Sequence, residues 1–144
     1  MIQSNQAAEL ASVAVVPTAG VETVNIYDID LSGGVDVSAE MIEAALLPAN
    51  AIITGITAIG AGTGAVTADI GIMDGDWRDN DDTRSITTVL MNDVDLNNAT
   101  AEGAVDTLTD VAMSGANRSI GIAFSGDIAA GSASVKLIVR TIMG

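Results

Sequence analysis

Residues 132–143, SASVKLIVRTIM, show the alternating pattern of a β-strand. One face of this segment carries Val135, Leu137 and Val139, and the opposite face carries Lys136 and Arg140. A period of two, with one apolar and one polar face, is typical of a strand that covers a core on one side. This segment therefore predicts a C-terminal strand.

The same period recurs upstream and predicts an all-β fold. Segments that show it are 21–31, 51–59, 66–72, 85–91 and 120–124, with a further candidate strand at 107–113. They are rich in Val, Ile and Thr, which favour pleated sheets, and Gly, Asp and Asn turns separate them. Within 51–59 we expect Ile52, Thr54 and Ile56 to share one face. Seven or eight short strands without regular helix alternation predict a β-sandwich or a jelly roll.

Two segments depart from this pattern. Residues 38–47 predict the one short helix, because Ser38 suits the N-cap, Glu40 suits the first turn and Pro48 ends the segment. Residues 1–20 have no sustained period and predict a flexible N-terminal arm, with at most a short strand near Val13–Val16. Since 144 residues leave room for one core, we expect the arm at 1–20 and a single β-sandwich domain at 21–144.

Charge and missing residue types exclude several functions. Five basic and nineteen acidic residues give 5 − 19 = −14, so direct binding to nucleic acid or to an anionic membrane is not expected. No apolar run approaches the roughly 20 residues of a spanning helix, and residues 7–16 lack the basic start of a secretory signal. Without cysteine or histidine, the chain has no disulfide, no thiolate nucleophile and no Ser-His-Asp relay. We therefore predict a protein that is not an enzyme.

The apolar residues are mostly small. Hydrophobic types make up 49% of the chain and the mean hydropathy is +0.45, yet the only aromatic residues are Tyr27, Trp77 and Phe124. A core of Ala, Val and Ile buries less area per residue than one that contains rings. This composition favours a fold whose apolar surface is partly covered by other subunits or by a partner lattice. The alternative is an ordinary Ala-rich monomer.

A glycine-rich segment matches a nucleotide-binding pattern only in part. Gly60, Gly62 and Ala65 fit G-x-G-x-x-G/A after an apolar strand. A dinucleotide site requires a helix directly after the loop, but residues 66–72 have the period of a strand and contain Gly71. The segment therefore predicts a hairpin loop, and we expect no cofactor.

An acidic segment leaves two interpretations open. Residues 74–82 carry five carboxylates in nine positions, and closely spaced oxygen ligands suit Ca²⁺. The spacing does not fit an EF-hand, so the alternative is a solvated turn in which Arg78 and Arg84 partly neutralise the acids. Trp77 in this segment is either a local cap on the core or an anchor in a partner's pocket. We assign no residue of this segment as a metal ligand.

Asp28 and Asp30 share one strand face, about 7 Å apart by the rise of a strand. A carboxylate pair of this kind resembles an acid/base pair of a glycosidase. Such an enzyme also needs a sugar cleft, usually lined by aromatic residues, and the chain has three aromatic residues in all. The pair therefore does not change the non-enzymatic prediction.

The order of these features resembles the small virion proteins of tailed bacteriophages, especially the capsid decoration or cement proteins. The resemblance is carried by segments 27–31, 47–52, 69–75 and 130–139 and spans roughly residues 21–142. It implies a β-sandwich that sits, often as a trimer, on the outer face of a capsid and ties neighbouring capsid subunits together. The near absence of aromatic residues and the expected helix at 38–47 depart from the family's pattern.

These observations lead to one functional hypothesis and one alternative. We expect a virion structural protein, made in the host cytoplasm, that decorates the capsid exterior as a homotrimer and has the major capsid protein lattice as its partner. The alternative is a calcium-stabilised β-sandwich module that binds carbohydrate or a surface protein. The candidate partner-contact residues are Val13, Val15, Trp77, Arg78 and Arg84.

Overall fold

The computed structural model describes residues 1–4, 22–104, 108 and 111–143. These residues form nine strands: β1 (Ile2–Gln3), β2 (Thr23–Asp30), β3 (Ile42–Leu47), β4 (Ala51–Ala61), β5 (Thr67–Met73), β6 (Ile86–Asp95), β7 (Ala99–Glu102), β8 (Arg118–Phe124) and β9 (Ser134–Met143). The strands make two sheets. The first sheet has the order β1-β3-β8-β5-β6, and the second has the order β2-β9-β4-β7.

The pairing of the strands is that of a jelly roll. Four antiparallel pairs, β2 with β9, β3 with β8, β4 with β7 and β5 with β6, form one long ribbon that wraps alternately into the second and the first sheet. The ribbon ends in the segment between β5 and β6, residues 74–85, which we call the tip loop. An all-β jelly roll is therefore the architecture, as the strand pattern predicted. Strand β1 is an addition, since it pairs in parallel with β3.

The core lies between the two sheets and is built from aliphatic side chains. Its largest fully buried members are Tyr27, Ile29, Leu31, Ile42, Leu47, Ile56, Ile70, Met73, Leu90, Leu96, Ile120 and Ile122. The C-terminal strand β9 contributes Val135, Leu137 and Val139 to this core, as its period predicted. Strand β9 occupies an interior position of the second sheet, between β2 and β4.

The predicted helix at 38–47 is wrong. A single turn forms around Asp36–Glu40, where the Glu40 N–H donates to the Asp36 carbonyl at 2.9 Å, and the chain then enters β3. All six residues of β3 are buried, because the core covers one face of the strand and the tip loop covers the other. A strand buried on both faces has a continuous apolar sequence, which periodicity cannot distinguish from a buried helix.

The predicted face of β4 is also wrong. The pairing of β4 with β9 shifts between Ile53 and Gly55, so one extra residue interrupts the alternation. Ile52 and Thr54 point outward and are exposed, whereas Ile56 lies in the core and is 1% exposed. The bulge therefore moves Ile56 to the opposite face.

The glycine-rich segment at 60–65 does not form a hairpin. Strand β4 belongs to the second sheet and β5 to the first, so this loop carries the ribbon from one sheet to the other. Gly62 and Gly64 both have left-handed backbone angles, with φ of 71° and 75°, which favour glycine. The loop leads into a strand, and the helix that a dinucleotide site requires is absent at this position.

Two further expectations fall wholly or partly outside the described residues. The strand near Val13–Val16 cannot be compared, because 5–21 are not described. In the candidate strand at 107–113, the Leu108 N–H donates to the Ala104 carbonyl at 3.1 Å, and residues 111–113 belong to no strand. The prediction of a strand is therefore wrong at the described positions, 108 and 111–113. In the described part of the chain, no helix is long and apolar enough to cross a membrane.

Candidate interaction surface

The tip loop folds back over the outer face of the first sheet and buries an ion pair beneath it. Arg84, near the end of the loop, is 4% exposed, and Glu43 of β3 is fully buried. Arg84 Nη1 lies 2.7 Å from Glu43 Oε2, and Arg84 Nη2 donates to Ser119 Oγ of β8 at 2.8 Å. The Ser119 hydroxyl in turn donates to Glu43 Oε2 at 2.6 Å. These three side chains connect the loop to β3 and β8.

Further hydrogen bonds complete the network around Glu43 and Arg84. Gln3 Nε2 of β1 donates to Glu43 Oε1 at 3.0 Å, and the backbone N–H of Arg78 donates to Glu43 Oε2 at 2.8 Å. Arg84 also donates to the backbone carbonyls of Asp74 and Asp79, at 2.7 and 2.8 Å. The network therefore satisfies both buried charges, which a buried ion pair requires.

The candidate contact residues of the tip loop have different environments. Trp77 is partly buried and packs against the core, while Arg78 is exposed and has a left-handed φ of 70°. Arg84 is buried beneath the loop and forms its ion pair with Glu43, and its charge also contributes to lowering the pKa of Asp81. Arg78 is therefore accessible to a partner, whereas only part of Trp77 is. Val13 and Val15 lie outside the described residues.

The carboxylates of the tip loop make separate local contacts. Asp74 Oδ1 accepts from the Ser85 N–H at 2.6 Å, and Asp82 Oδ1 lies 2.8 Å from the amino group of Met1. Hydrogen bonds from the Thr83 backbone and hydroxyl lower the pKa of Asp81. In the described part of the chain, no group of three or more acidic side chains is placed to hold a metal ion. The calcium interpretation therefore gains no support from the geometry of this loop.

The outer face of the second sheet carries four of the seven large apolar side chains that are exposed in the described part of the chain. We call it the β9 face. Its outward apolar members are Val24 and Ile26 of β2, Ile138 and Ile142 of β9, and Ile52 and Ile59 of β4. Val24 and Ile26 are each 50% exposed, and Ile59 is 41% exposed. Exposed apolar residues gathered on one sheet face indicate an interaction surface.

Cross-strand pairing arranges the β9 face in rows. Ile52 lies beside Ile142 and Ile26 lies beside Ile138, so isoleucines flank the row that holds Val24 and Arg140 near the C-terminus of β9. At the other half, Ser134 lies between Asp30 and Ala61. Bulky isoleucine side chains therefore project from one end of the face. The row at the other end, which we call the low end, has short side chains.

The low end of the face contains a groove. Its volume is about 460 Å³, and it is lined by Asp28, Asp30, Ile59, Gly60, Ala61, Ser134 and Lys136 together with the backbone of β2 and β9. The small side chains of Ser134 and Ala61 leave this space open. A Cβ at Gly60 would collide with the Leu96 carbonyl, so the sheet requires glycine there.

The β9 face also carries two of the chain's five basic residues. Lys136 Nζ lies 3.5 Å from Asp28 Oδ1, and both side chains are at least half exposed. The Arg140 guanidinium lies across Gly55, where a Cβ would be only 2.7 Å from Arg140 Nε, and it reaches Thr57 Oγ1 at 3.5 Å. Glycine at 55 therefore lets the Arg140 side chain lie flat on the face. Arginine is enriched at protein interfaces and at their energetically important positions.

In the described part of the chain, three polar residues have buried side-chain atoms without a hydrogen-bond partner, namely Arg118, Tyr27 and Thr63. Nε and Nη2 of Arg118, at the start of β8, are buried without a partner, and burial lowers the pKa of this guanidinium. The Tyr27 hydroxyl is also buried without a completed hydrogen bond. Burial raises the pKa of Tyr27 to about 12, and the nearby backbone of Leu46 offsets only part of that rise.

Sequence reasoning did not find the β9 face or the buried ion pair. The period of β9 placed Lys136 and Arg140 outward, but nothing local shows that β2 and β4 supply isoleucines beside them. Glu43 is the single charge within the apolar run 42–47, and this is the one signal of a buried partner. Its partner is 41 positions away, so the sequence alone does not identify it.

Comparisons with known proteins give likenesses of structure. No protein-family model matches the chain, and no curated protein matches it. A chain from the capsid of Ralstonia phage GP4 superimposes with a TM-score of 0.84 and 23% identity, over 99% of this chain and 97% of that chain. A chain from the capsid asymmetric unit of cyanophage Pam1 has a TM-score of 0.56 and 17% identity, over 92% of each chain. At these identities the likeness establishes a shared fold.

Proposed function

We propose that this chain is a non-enzymatic structural protein of a bacteriophage virion that decorates the capsid and bridges neighbouring capsid subunits. The observation that carries the proposal is the superposition on a chain from the capsid of Ralstonia phage GP4. The superposition covers 99% of this chain and 97% of that chain, so the likeness extends over the jelly roll that the structure describes.

The position that we propose is the capsid exterior, with synthesis in the host cytoplasm. A net charge of −14 disfavours the inside of a capsid, where the chain would face packaged DNA of the same sign. On the outside, the same charge keeps particles from associating. The partner is then the lattice of the major capsid protein.

We propose a homotrimer as the unit that attaches. A decoration protein acts at many equivalent sites, so an oligomer with several weak contacts binds more firmly than one chain does. The exposed isoleucines and valine of the β9 face give the chain apolar surface to bury in such an assembly.

The contacts that we propose with the lattice come from two segments. In the tip loop, Arg78 is exposed and its neighbour Trp77 is partly exposed, and tryptophan and arginine are enriched among the residues that dominate interfaces. Arg84 supports this contact from beneath, because it holds the tip loop on Glu43. Val13 and Val15 of the arm 1–20 extend the contact to a second capsid subunit.

Binding to capsids tests the proposal. Purified protein is mixed with capsids of the encoding phage that lack this chain, and the particles are sedimented. We expect a fixed number of copies per capsid and greater resistance of the decorated particles to heat. Failure of the protein to sediment with the particles, at concentrations where its fold is intact, would overturn the proposal.

A further inference from the structure

We propose that β1 acts as a strap that holds the tip loop on the first sheet, so that release of β1 from β3 frees the loop and its Trp77. The strap and the loop share one buried carboxylate, that of Glu43, and this shared contact couples them. The coupling is a property of the free protein. Its use in attachment to a capsid rests on the proposed function.

The two oxygens of the Glu43 carboxylate serve the two sides of this contact. Oε1 accepts from Gln3 Nε2 of β1 at 3.0 Å. Oε2 lies 2.7 Å from Arg84 Nη1 and accepts from the backbone N–H of Arg78 at 2.8 Å, and both of these residues belong to the tip loop. Because Glu43 is fully buried, loss of the Gln3 donor leaves part of a buried charge unsatisfied until the carboxylate turns or water enters beneath the loop.

The conformation of the tip loop depends on this carboxylate at Arg78. Its φ of 70° is left-handed, which is unfavourable for a residue with a side chain and persists only where the surroundings hold it. Here Glu43 holds the backbone N–H of Arg78. The preceding residue, Trp77, packs against the core. A Glu43 carboxylate that turns or becomes hydrated therefore releases Arg78 and, with it, Trp77.

Strand β1 is short enough to leave the sheet before the rest of the fold opens. It has two residues, and the N–H groups of Ile2 and Ser4 donate to the carbonyls of Met41 and Glu43 at 2.9 Å each. Terminal segments with few backbone hydrogen bonds open at a small part of the free energy of global unfolding. Release of β1 is therefore an accessible local event.

A second contact joins the strap to the loop. Asp82 Oδ1 lies 2.8 Å from the amino group of Met1 and accepts from the Met41 N–H at 3.4 Å. Asp82 thus contacts the residue before β1 and the residue before β3, where the two strands start side by side. Since the loop binds residues 1–4 at Asp82 and through Glu43, opening of either segment weakens the hold on the other. Such a coupling is reciprocal.

This coupling gives the proposed attachment an order of events. Residues 5–20 of the arm follow β1 directly in the chain, so a lattice contact at Val13 and Val15 that draws the arm away acts first on β1. Release of β1 then frees the tip loop, whose Trp77 and Arg78 are the other proposed contacts with the lattice. The contact of the arm therefore prepares the contact of the loop.

Amide hydrogen exchange of full-length protein, measured residue by residue by NMR without a capsid, tests the coupling. Gln3→Met removes the donor to Glu43 Oε1 and keeps a side chain of similar length. We expect the amide of Arg78, which is bonded to the other oxygen, to exchange about 10-fold faster or more, the factor that a hydrogen bond to a charged group contributes. Amides in the middle of β9 should keep their rates.

Val139→Ala is the control for a general loss of stability. Val139 is 2% exposed in the core beneath the second sheet, so this variant lowers the free energy of global unfolding and leaves the strap intact. The Arg78 amide should exchange in Val139→Ala at the rate of the unmodified protein, because the loop opens locally.

The reverse direction is tested from the loop. Asp81→Ala removes the carboxylate that accepts from the backbone N–H and the hydroxyl of Thr83, which loosens the tip loop without changing Glu43 or Gln3. We expect the amides of Ile2 and Ser4 to exchange about 2-fold faster or more, because the coupling is reciprocal.

Three results would overturn the proposal. In the first, Gln3→Met speeds the amides of Ile2 and Ser4 and leaves Arg78 unchanged, so β1 leaves β3 without affecting the loop. In the second, Val139→Ala speeds Arg78 as much as Gln3→Met does, so the loop opens only with the whole fold. In the third, Asp81→Ala speeds the loop amides alone. All of these measurements use the free protein, so failure of this inference is distinguishable from failure of the protein to sediment with capsids.

Discussion

Arg84 Nη1 lies 2.7 Å from Glu43 Oε2, and both side chains are buried beneath the tip loop. The pair joins the turn of the ribbon to β3, which is 41 positions earlier in the chain. It explains how the tip loop, which is mostly polar, stays folded onto the first sheet. The contact also makes a quantitative prediction.

We expect Arg84→Ala to destabilise the protein by about 3–5 kcal/mol, because it leaves the Glu43 carboxylate buried without its cation. Urea unfolding followed by the fluorescence of the single Trp77 measures the change. Lys136→Ala is the matched control, since it breaks the exposed pair with Asp28 and should cost about 0–1 kcal/mol. Equal effects of the two substitutions would contradict the buried network.

Gly71 in β5 supports a second stability prediction. A Cβ at Gly71 would collide with the Thr88 carbonyl of the neighbouring strand, and backbone cannot move aside as a flexible side chain does. We expect Gly71→Ala to lower the free energy of unfolding by about 1–3 kcal/mol. Gly115→Ala, where a Cβ meets no atom within 4 Å, should change it by less than about 0.5 kcal/mol. Thermal unfolding compares the two variants, and an unchanged Gly71→Ala would show that β5 and β6 are less close than described.

Tyr27 predicts how stability depends on alkaline pH. Its pKa is about 12 in the folded protein and about 10 in the unfolded chain, so the folded state retains a proton that the unfolded state loses. The contribution of Tyr27 to the free energy of unfolding is fully present below pH 10. It falls as the pH rises towards 12, by up to about 2–3 kcal/mol. Absorbance of the single tyrosine gives the folded pKa directly. Tyr27→Phe should remove this part of the pH dependence, and a tyrosine that titrates near 10 in the folded protein would contradict its burial.

The contacts of the tip loop predict that calcium changes neither the solution mass nor the melting temperature of the protein. Its carboxylates bond to Ser85, Thr83 and the amino group of Met1, so a metal ion is not needed to hold it. We expect the same solution mass by light scattering, close to three chains, in EDTA and in millimolar calcium. A monomer whose mass or melting temperature responds to calcium would instead favour the calcium-stabilised binding module.

The arm is tested by a pair of substitutions. If Val13 and Val15 contact a capsid subunit, then Val13→Asp with Val15→Asp should weaken binding to capsids and leave the melting temperature of the free protein unchanged. Thr100→Asp, on the short strand β7, is the control for added charge. Loss of stability in the free double variant would show that these valines belong to the core and not to a contact with the lattice.

The sequence predicted those parts of the fold in which one side of a strand faces water. Strand β9 alternates between Val135, Leu137 and Val139 in the core and Lys136 outside, so its period identified it. Strand β3 has no such contrast, because Glu43 on its outer face is as buried as Ile42 on its inner face. The helix predicted there was wrong for this reason.

The features of the candidate surface that the sequence did not predict depend on pairing between strands that are distant along the chain. The bulge after Ile53 moves Ile56 inward, and no residue type at 52–56 indicates it. The glycine-rich loop at 60–65 has the composition of a hairpin, but the ribbon crosses between sheets there. The apolar rows of the β9 face exist only because β2, β9 and β4 are neighbours, and adjacency of distant strands is a property of the whole topology.

Electron cryomicroscopy of the virion of the encoding phage tests the central claim most directly. The account predicts density for this jelly roll on the outer surface of the capsid, at repeated positions where each copy contacts more than one capsid subunit. Density for the chain only in the tail, or on the inner surface of the shell, or its absence from the particle, would contradict the account.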